Sequence, residues 1–324
     1  MPTTPSAAGP NSKATTGSTA TPSVLERPAL PCSDECLLRP GNTNCGGCGM
    51  SVGLTMLGRA LAKAEQTCSL VIPACCGIVT AGAYPTTSYG VPTVATTFAS
   101  SPAFATGIAS VRDLNDESGQ VICWAGDGGT YDIGIATLSA AAERNEDLIY
   151  ICYDNEIYGN TGGQRSSATP AGARTTTTPA GKHETKKDMM AIMVAHRVPY
   201  AATLSIAHPQ DFERKLATAL SMHGFRFLLL HSPCPTGWKS EQGESVELVR
   251  LAVASGLFLL YEVWGGDEYR INAVPQWTDP ALYFERQKRF APDEIDLEAT
   301  RAANRARFDR LDRMAAEFPH REKG

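Results

Sequence analysis

Short apolar runs alternate with segments of helical periodicity along most of this chain. Runs rich in Val, Ile, Leu and aromatic residues predict strands at residues 69–73, 120–125, 148–153, 226–231 and 257–263. Between them, apolar positions recurring three or four apart predict helices at residues 132–144, 186–195, 209–222 and 245–254. Strands that alternate with helices are typical of parallel sheets with crossover helices. The pattern therefore predicts an α/β fold, with a mostly parallel sheet flanked by helices.

The same pattern predicts how the chain is divided. Residues 1–28 consist mainly of Pro, Thr, Ser, Ala and Gly, with too few apolar side chains to offset the entropy of ordering, and predict a flexible tail. Residues 29–264 contain the predicted strands and form the expected binding domain. Within it, residues 159–182 are rich in Gly, Ser and Thr and predict a functional loop. We expect residues 265–324, which include a charged helix at 295–318, to be an extension that packs on a partner.

Composition and charge narrow the classes of function. The 324 residues are 43% hydrophobic, enough for a large core, and the formal net charge is −5. An acidic chain offers no basic surface for nucleic acid or for anionic lipid. The opening residues lack the basic start and apolar stretch of a secretory signal, and no apolar run is long enough to span a membrane. We therefore expect a cytoplasmic protein whose partners are small molecules and other proteins.

A glycine-rich segment follows directly after the predicted strand at 120–125. Gly126, Asp127, Gly128 and Gly129 thus stand at the carboxyl end of a strand, where open α/β sheets bind ligands. Glycine lets the backbone approach an anion closely, the following helix offers free N–H groups, and Asp127 can hold a cation. An ordinary turn explains the same residue types, because Gly and Asp are turn formers. On its own, the segment leaves both explanations open.

A second polar position follows the next predicted strand. Asn155 comes 28 residues after Asp127, at the end of the strand at 148–153. Magnesium prefers near-octahedral oxygen ligands, which a carboxylate, an amide oxygen, a backbone carbonyl and two phosphates can supply. Two adjacent strand ends therefore predict one site for magnesium and a diphosphate.

Cysteines are the second chemical signal. Cys45 and Cys48 form a C-x-x-C with glycines beside it, while Cys76 and Cys234 each follow a predicted strand. Four thiolates drawn together suit an iron–sulfur cluster. A C-x-x-C alone equally suits a redox disulfide or structural zinc. The spacing by itself therefore leaves the metal open.

Together these features resemble one family. A Gly-Asp-Gly segment followed by such an Asn is the thiamine-diphosphate motif, and residues 126–134 and 158–164 resemble the corresponding segments of pyruvate:ferredoxin oxidoreductases. The likeness continues through residues 168–170, 181–182 and 186–188. It implies the thiamine-diphosphate-binding fold and a role as the β subunit of a 2-oxoacid:ferredoxin oxidoreductase.

The resemblance also implies roles for individual residues. Asp127, Asn155 and the backbone carbonyl of Ile157 are expected to bind Mg²⁺, and Gly126, Gly128 and Gly129 to approach the diphosphate. Phe98, Asn160 and Thr161 are expected to lie against thiamine diphosphate. One 4Fe-4S cluster is expected on Cys45, Cys48, Cys76 and Cys234, with Cys76 next to the thiamine cofactor. Cys76 is chosen over Cys75 because it has the family's spacing to Pro85.

The remaining cysteines and two departures from the family pattern complete the picture. Cys32 and Cys36 form a looser pair whose role the sequence leaves open, as it does that of Cys75. Thiols on the predicted strands are expected in the core: Cys68, Cys123 and Cys152.

The family tends to have an acidic residue where Ala99 stands, and some members have Glu where Met50 stands. These departures leave the substrate open among pyruvate, oxalate, 2-oxoglutarate, phenylglyoxylate and branched-chain 2-oxoacids.

The implied reaction is the oxidative decarboxylation of a 2-oxoacid, with electrons passing through the cluster to ferredoxin and the acyl group to coenzyme A. The chain offers no candidate for the carboxylate that activates the aminopyrimidine. We therefore expect activity only with an α subunit that carries it, with γ and δ subunits as further candidates. A non-oxidative thiamine-dependent decarboxylase or synthase is one alternative, but it has no use for clustered cysteines. A zinc- or cluster-bearing scaffold is the other, but it has no use for the diphosphate motif.

Overall fold

The structure is a computed structural model that describes residues 36–82, 87–291 and 295–320. These residues belong to one unit of the chain, Ser33–Gly324. The predicted tail at residues 1–28, together with Cys32 and Pro85, lies outside the described residues.

Among the described residues, one sheet holds all of the strands, in the order β2-β1-β3-β4-β6-β5-β7-β8. Their bounds are β1 Cys68–Pro73, β2 Thr93–Thr96, β3 Gln120–Gly126, β4 Leu148–Asp154, β5 Tyr200–Ser205, β6 Phe225–His231, β7 Leu260–Trp264 and β8 Glu268–Ala273. The strands from β2 to β5 in that order run parallel, while β7 and β8 are antiparallel to their neighbours. The predicted α/β fold with a mostly parallel sheet is confirmed.

Among the described residues, helices cover both faces of the sheet. Five of them lie where the sequence predicts helices, beginning at residues 135, 189, 209, 245 and 297, and the other five were not predicted. The helices are α1 Gly49–Lys63, α2 Cys76–Ala81, α3 Ser101–Leu114, α4 Ile135–Glu143, α5 Met189–Ala195, α6 Pro209–Ser221, α7 Pro235–Trp238, α8 Ser245–Ala254, α9 Ala281–Phe284 and α10 Leu297–Glu317. A π-helical turn, Gly128–Asp132, precedes α4. Helix α5 begins later than predicted, because the Asp188 side chain caps it by accepting a hydrogen bond from Ala191 N at 2.9 Å.

The sheet buries an apolar layer on each face, because successive side chains of a strand point to opposite sides. On β3, Ile122 and Trp124 face one core, while Cys123 and Ala125 face the other. Cys68 lies in the first core and Cys152 in the second, so the three thiols predicted on strands are core residues.

The carboxyl-terminal segment packs on its own sheet. Leu311 of α10 contacts Leu259, Val263 and Tyr269. The prediction that this segment also packs on a partner is untested by these contacts and stays a prediction. None of the helices within the described ranges combines the length and the apolar character needed to cross a lipid bilayer.

Candidate cofactor and cluster site

The sequence-predicted site residues gather at one edge of the sheet. Neighbouring parallel strands β2, β1, β3, β4 and β6 all end there. Each strand is followed at this edge by at least one predicted residue: Phe98 after β2, Cys76 after β1, Gly126 to Gly129 at the end of β3, Asn155 and Ile157 after β4, and Cys234 after β6. The crossover connections of a parallel sheet bring these sequence-distant turns together at one edge.

Asp127 lies at the centre of this edge, with only 2% of its surface exposed. The hydroxyl of Ser166 donates to its carboxylate. Burial raises the pKa of Asp127 well above its usual value, and the negative charge of nearby Asp154 raises it further. The ionised form of a buried carboxyl group is unfavourable unless a cation lies nearby. The site therefore fits the magnesium ion that the sequence predicts.

The turn after β4 presents oxygen atoms beside Asp127. The side-chain oxygen of Asn155 accepts a hydrogen bond from Ile157 N at 3.3 Å. Between them, Glu156 has a φ of 61°, in the left-handed region. Such a conformation in a residue other than glycine costs of order 1–3 kcal/mol and persists only where the surroundings impose it. Asn155 and Ile157 are thus held on a strained, tightly fixed turn.

Charged side chains beneath this turn hold it in place. Lys186 Nζ lies 2.6 Å from Asp154 Oδ2 and 2.8 Å from Glu156 Oε1, and Arg289 Nη2 lies 2.6 Å from Glu156 Oε2. Burial would raise the pKa of Glu156, but Lys186 and Arg289 hold it well below its usual value. Tyr131 donates to Asp154 Oδ2 at 2.8 Å. Glu156 is therefore an ionised anchor between the buried Arg289 and the partly buried Lys186.

Metal ligation here would combine the Asp127 carboxylate with oxygens of other kinds. In the described part of the chain, no three or more His, Cys, Asp or Glu side chains come together around a position for a single metal ion. Asp127 would supply one carboxylate, and an amide and a backbone carbonyl would supply the other protein oxygens. This donor set suits magnesium and not zinc, which prefers nitrogen and sulfur.

Two aromatic rings flank the glycine that follows Asp127. A side chain at Gly128 would overlap the ring of Tyr158 and meet Phe98 Cζ at 3.0 Å. The Phe98 and Tyr158 rings pack edge to face with centroids 6.0 Å apart. Tyr158 donates to Asp132 Oδ2 at 2.6 Å, which fixes its ring. Only glycine fits at residue 128 without a clash between its side chain and these rings.

The loop after Tyr158 closes on itself and exposes its tip. Tyr158 N donates to Gln164 O, and Gly163 N donates to Tyr158 O, each at 3.0 Å. Asn160 and Thr161 lie at the exposed tip. The Cys76 thiol donates to Asn160 Oδ1 at 3.3 Å. The loop thus joins the predicted thiamine-binding residues to one of the predicted cluster ligands.

Two of the predicted cluster ligands flank this loop. The sulfur atoms of Cys76 and Cys234 each lie 3.7 Å from the position that a Cβ atom at residue 159 would occupy. Burial raises the pKa of the Cys76 thiol, and the other nearby thiols, led by Cys234, raise it further. Burial also raises the pKa of the Cys234 thiol, to about 11. Two buried thiols that disfavour their own ionisation fit a positively charged metal centre, which would stabilise the thiolates.

The C-x-x-C segment approaches the same place from the start of α1. Gly49 N, next to Cys48, donates to Pro233 O, next to Cys234, at 3.0 Å. Thr236 Oγ1 donates to Cys45 Sγ at 3.7 Å. Cys45, Cys48, Cys76 and Cys234 are all free of disulfide bonds. All four predicted ligands therefore lie near one another.

Three polar partners of the site were missed by the sequence reasoning. Ser166 bonds to Asp127, Asp132 fixes Tyr158, and Arg289 anchors Glu156. Ser166 falls in the predicted functional loop, so a signal for its region existed. Arg289 lies 133 residues from Glu156 in the sequence and carries no local pattern that could have identified it.

Comparisons with known proteins agree with this geometry. Residues 74–230 match the family described as thiamine pyrophosphate enzyme, C-terminal TPP binding domain. The chain is 42% identical over 264 residues to pyruvate synthase subunit PorB of Methanothermobacter marburgensis, which covers 79% of this chain and 90% of the relative. It is 41% identical over 293 residues to ketoisovalerate oxidoreductase subunit VorB of Pyrococcus horikoshii, covering 86% of this chain and 93% of the relative.

A solved structure has a similar fold. It is the 2-oxoglutarate:ferredoxin oxidoreductase from Magnetococcus marinus, with a TM-score of 0.56 and 22% identity over 69% of this chain and 82% of that chain. At this level of identity the similarity concerns the fold alone.

Proposed function

This chain belongs to the family of β subunits of 2-oxoacid:ferredoxin oxidoreductases, and we propose that it carries thiamine diphosphate, Mg²⁺ and one 4Fe-4S cluster for the oxidative decarboxylation of a 2-oxoacid. Asp127, Asn155 and the Ile157 carbonyl hold the magnesium ion. Cys45, Cys48, Cys76 and Cys234 hold the cluster.

The observation that carries the proposal is the meeting of two predicted sites at one sheet edge. Asn160 of the thiamine-binding loop accepts a hydrogen bond from Cys76 at 3.3 Å. When bound, thiamine diphosphate supplies the carbon nucleophile that decarboxylates the 2-oxoacid, and the cluster accepts electrons one at a time. Placing both groups on one chain gives those electrons a short route away from the site.

The protein's own residues perform the binding and orientation. Asp127 and the turn after β4 present oxygens to the cation, which neutralises the diphosphate. Phe98 and Tyr158 cover the buried backbone of Gly128. The carboxylate that acts on the aminopyrimidine belongs to a partner α subunit, and the electron and acyl acceptors are ferredoxin and coenzyme A. The names of the two relatives give different 2-oxoacids, pyruvate and ketoisovalerate. The substrate of this chain is therefore one of several 2-oxoacids.

The test is anaerobic purification of the complete complex. Iron, sulfide, magnesium and thiamine diphosphate are quantified, and a panel of 2-oxoacids is screened for reduction of a viologen dye. We expect about one thiamine diphosphate per copy of this chain, a reducible cluster, and dye reduction that depends on one of the acids. Tightly bound zinc without thiamine diphosphate would instead support a scaffold subunit.

A further inference from the structure

Arg289 lies outside every motif of the chain, yet it is among the most deeply buried charged residues. Only 1% of its surface is exposed. Its Nη2 donates to Glu156 Oε2 at 2.6 Å, and its Nε donates to Gln287 Oε1 at 2.9 Å. Its guanidinium carbon lies 4.1 Å above the centre of the Trp238 ring. Burying a guanidinium is costly unless it is paired, so these contacts define one preferred position.

One side of Arg289 holds the turn that presents Asn155 and Ile157. Glu156 stands between these two residues with its backbone in the left-handed region. A strained turn keeps its shape only while its surroundings impose it. The backbone of Glu156 bonds to Asp154 Oδ1 and Thr169 Oγ1, while the Arg289–Glu156 pair and the Lys186–Glu156 pair at 2.8 Å hold its side chain.

The other side of Arg289 holds the loop that presents Cys234. Trp238 is fully buried and ends helix α7, which Cys234 caps. Trp238 N donates to Cys234 O at 2.7 Å. The indole Nε1 of Trp238 donates to Asn155 O, also at 2.7 Å. Trp238 therefore contacts both the cluster loop and the magnesium turn, and Arg289 stacks on its face.

We propose that Arg289 is a positioning residue that fixes the magnesium turn and the Cys234 loop relative to each other. The inference rests on the proposed function and extends it to the coupling of the two cofactor sites. A planar guanidinium can pair with a carboxylate and stack on an indole at the same time, which a lysine ammonium cannot do. Partners behind the direct ligands orient those ligands and tune the metal centre.

The test compares Arg289→Met, Arg289→Lys and Arg286→Met in the complete anaerobic complex. Arg286 is a matched control from the same segment, because it pairs at 2.9 Å with Glu244, away from Glu156 and Trp238. The readouts are the Kd of thiamine diphosphate at fixed Mg²⁺, the midpoint potential of the cluster, and its electron paramagnetic resonance spectrum. We expect Arg289→Met to raise the Kd about 10- to 100-fold and to shift both the potential and the spectrum.

Arg289→Lys keeps the charge, so it covers the case in which Arg289→Met fails to assemble. We expect it to bind thiamine diphosphate more weakly than the wild type and to shift the cluster spectrum. Arg286→Met should match the wild type in every readout. An Arg289 variant that lowers only the melting temperature, with the Kd and the spectrum of the wild type, would overturn the inference. A wild-type complex without thiamine diphosphate or an iron–sulfur signal would overturn the proposed function as well.

Discussion

The Cys76 thiol donates a hydrogen bond to Asn160 Oδ1 across 3.3 Å, although the two residues are 84 positions apart in the sequence. Cys76 begins helix α2 after β1, while Asn160 lies on the loop after β4. Strands β1 and β4 are separated in the sheet only by β3. The contact therefore follows from the strand order, and it joins the proposed thiamine-binding loop to a proposed cluster ligand.

The first prediction separates the two adjacent cysteines after β1. Cys76→Ser is expected to remove the cluster, because a four-iron cluster needs four thiolates and serine is a poor replacement. Cys75→Ser should keep it, since Cys75 caps helix α2 and packs against the core on that face of the sheet. Iron and sulfide content and the electron paramagnetic resonance spectrum of the reduced complex provide the measurement. Loss of the cluster in Cys75→Ser, with its retention in Cys76→Ser, would reverse the assignment.

The second prediction concerns Asp127, where stability and binding should change in opposite directions. Burial and nearby Asp154 raise the pKa of Asp127, so its ionised form is unfavourable without a cation. Asp127→Asn should therefore raise the melting temperature of the cofactor-free protein. It should also weaken Mg²⁺-dependent binding of thiamine diphosphate by about 100-fold, because a ligand charge is lost.

Differential scanning calorimetry without cofactor and titration calorimetry with cofactor measure the two effects. Asp113→Asn is the control for binding, because Asp113 lies exposed on helix α3 and should leave the affinity for thiamine diphosphate unchanged. A variant that binds the cofactor as tightly as the wild type would remove Asp127 from the magnesium site.

The fold was more predictable than the site's supporting residues. Strands such as β3 and β4 are continuous apolar runs because both faces are buried, and such runs can be identified from the sequence. Strands β2 and β5 were missed, although β5 is fully buried. Strand β8, Glu268–Ala273, was missed because it is an antiparallel edge strand whose polar residues are half-buried. Its pairing with β7 is a tertiary contact that no local pattern encodes.

Within the site, the sequence identified residues that gather at one sheet edge, but not the residues that support them. Asp127 and Cys234 stand directly at strand ends, where position in the sequence predicts position in space. Arg289 reaches Glu156 from a segment with no regular periodicity, so its role depends on how the chain closes around the sheet. Long-range ion pairs of this kind can be located only in the folded structure.

The third prediction is a pH dependence of stability that arises from His231. Burial lowers the pKa of His231 from 6.5 to about 4, against the opposing influence of nearby Glu156. Between these two pH values the unfolded chain binds more protons than the folded chain, so the free energy of unfolding falls as the pH falls. The contribution is fully present above pH 6.5 and is lost towards pH 4. It amounts to about 3 kcal/mol.

His231→Phe should remove this part of the pH dependence. The His231 ring stacks on Phe258 with centroids 4.9 Å apart, so a phenyl ring fits the same place. Denaturant unfolding at pH 7, 5.5 and 4.5 gives the difference from the wild type, with His183→Gln as a control at an exposed histidine. Equal slopes for the wild type and His231→Phe across this range would show that His231 titrates normally.

The last prediction compares a glycine that is crowded by neighbouring side chains with one that has free space around it. A Cβ at Gly128 would overlap the Tyr158 ring, while a Cβ at Gly107 would have nothing within 4 Å. In Gly128→Ala the Tyr158 ring must move, which breaks its 2.6 Å hydrogen bond to Asp132 and costs about 1–3 kcal/mol. Gly107→Ala lies inside helix α3 and should stabilise the chain by about 1 kcal/mol, because alanine has the higher helix propensity.

Thiamine diphosphate binding should fall in Gly128→Ala and stay unchanged in Gly107→Ala, as measured by titration calorimetry. Unchanged binding in both variants would mean that the cofactor does not approach the backbone at Gly128.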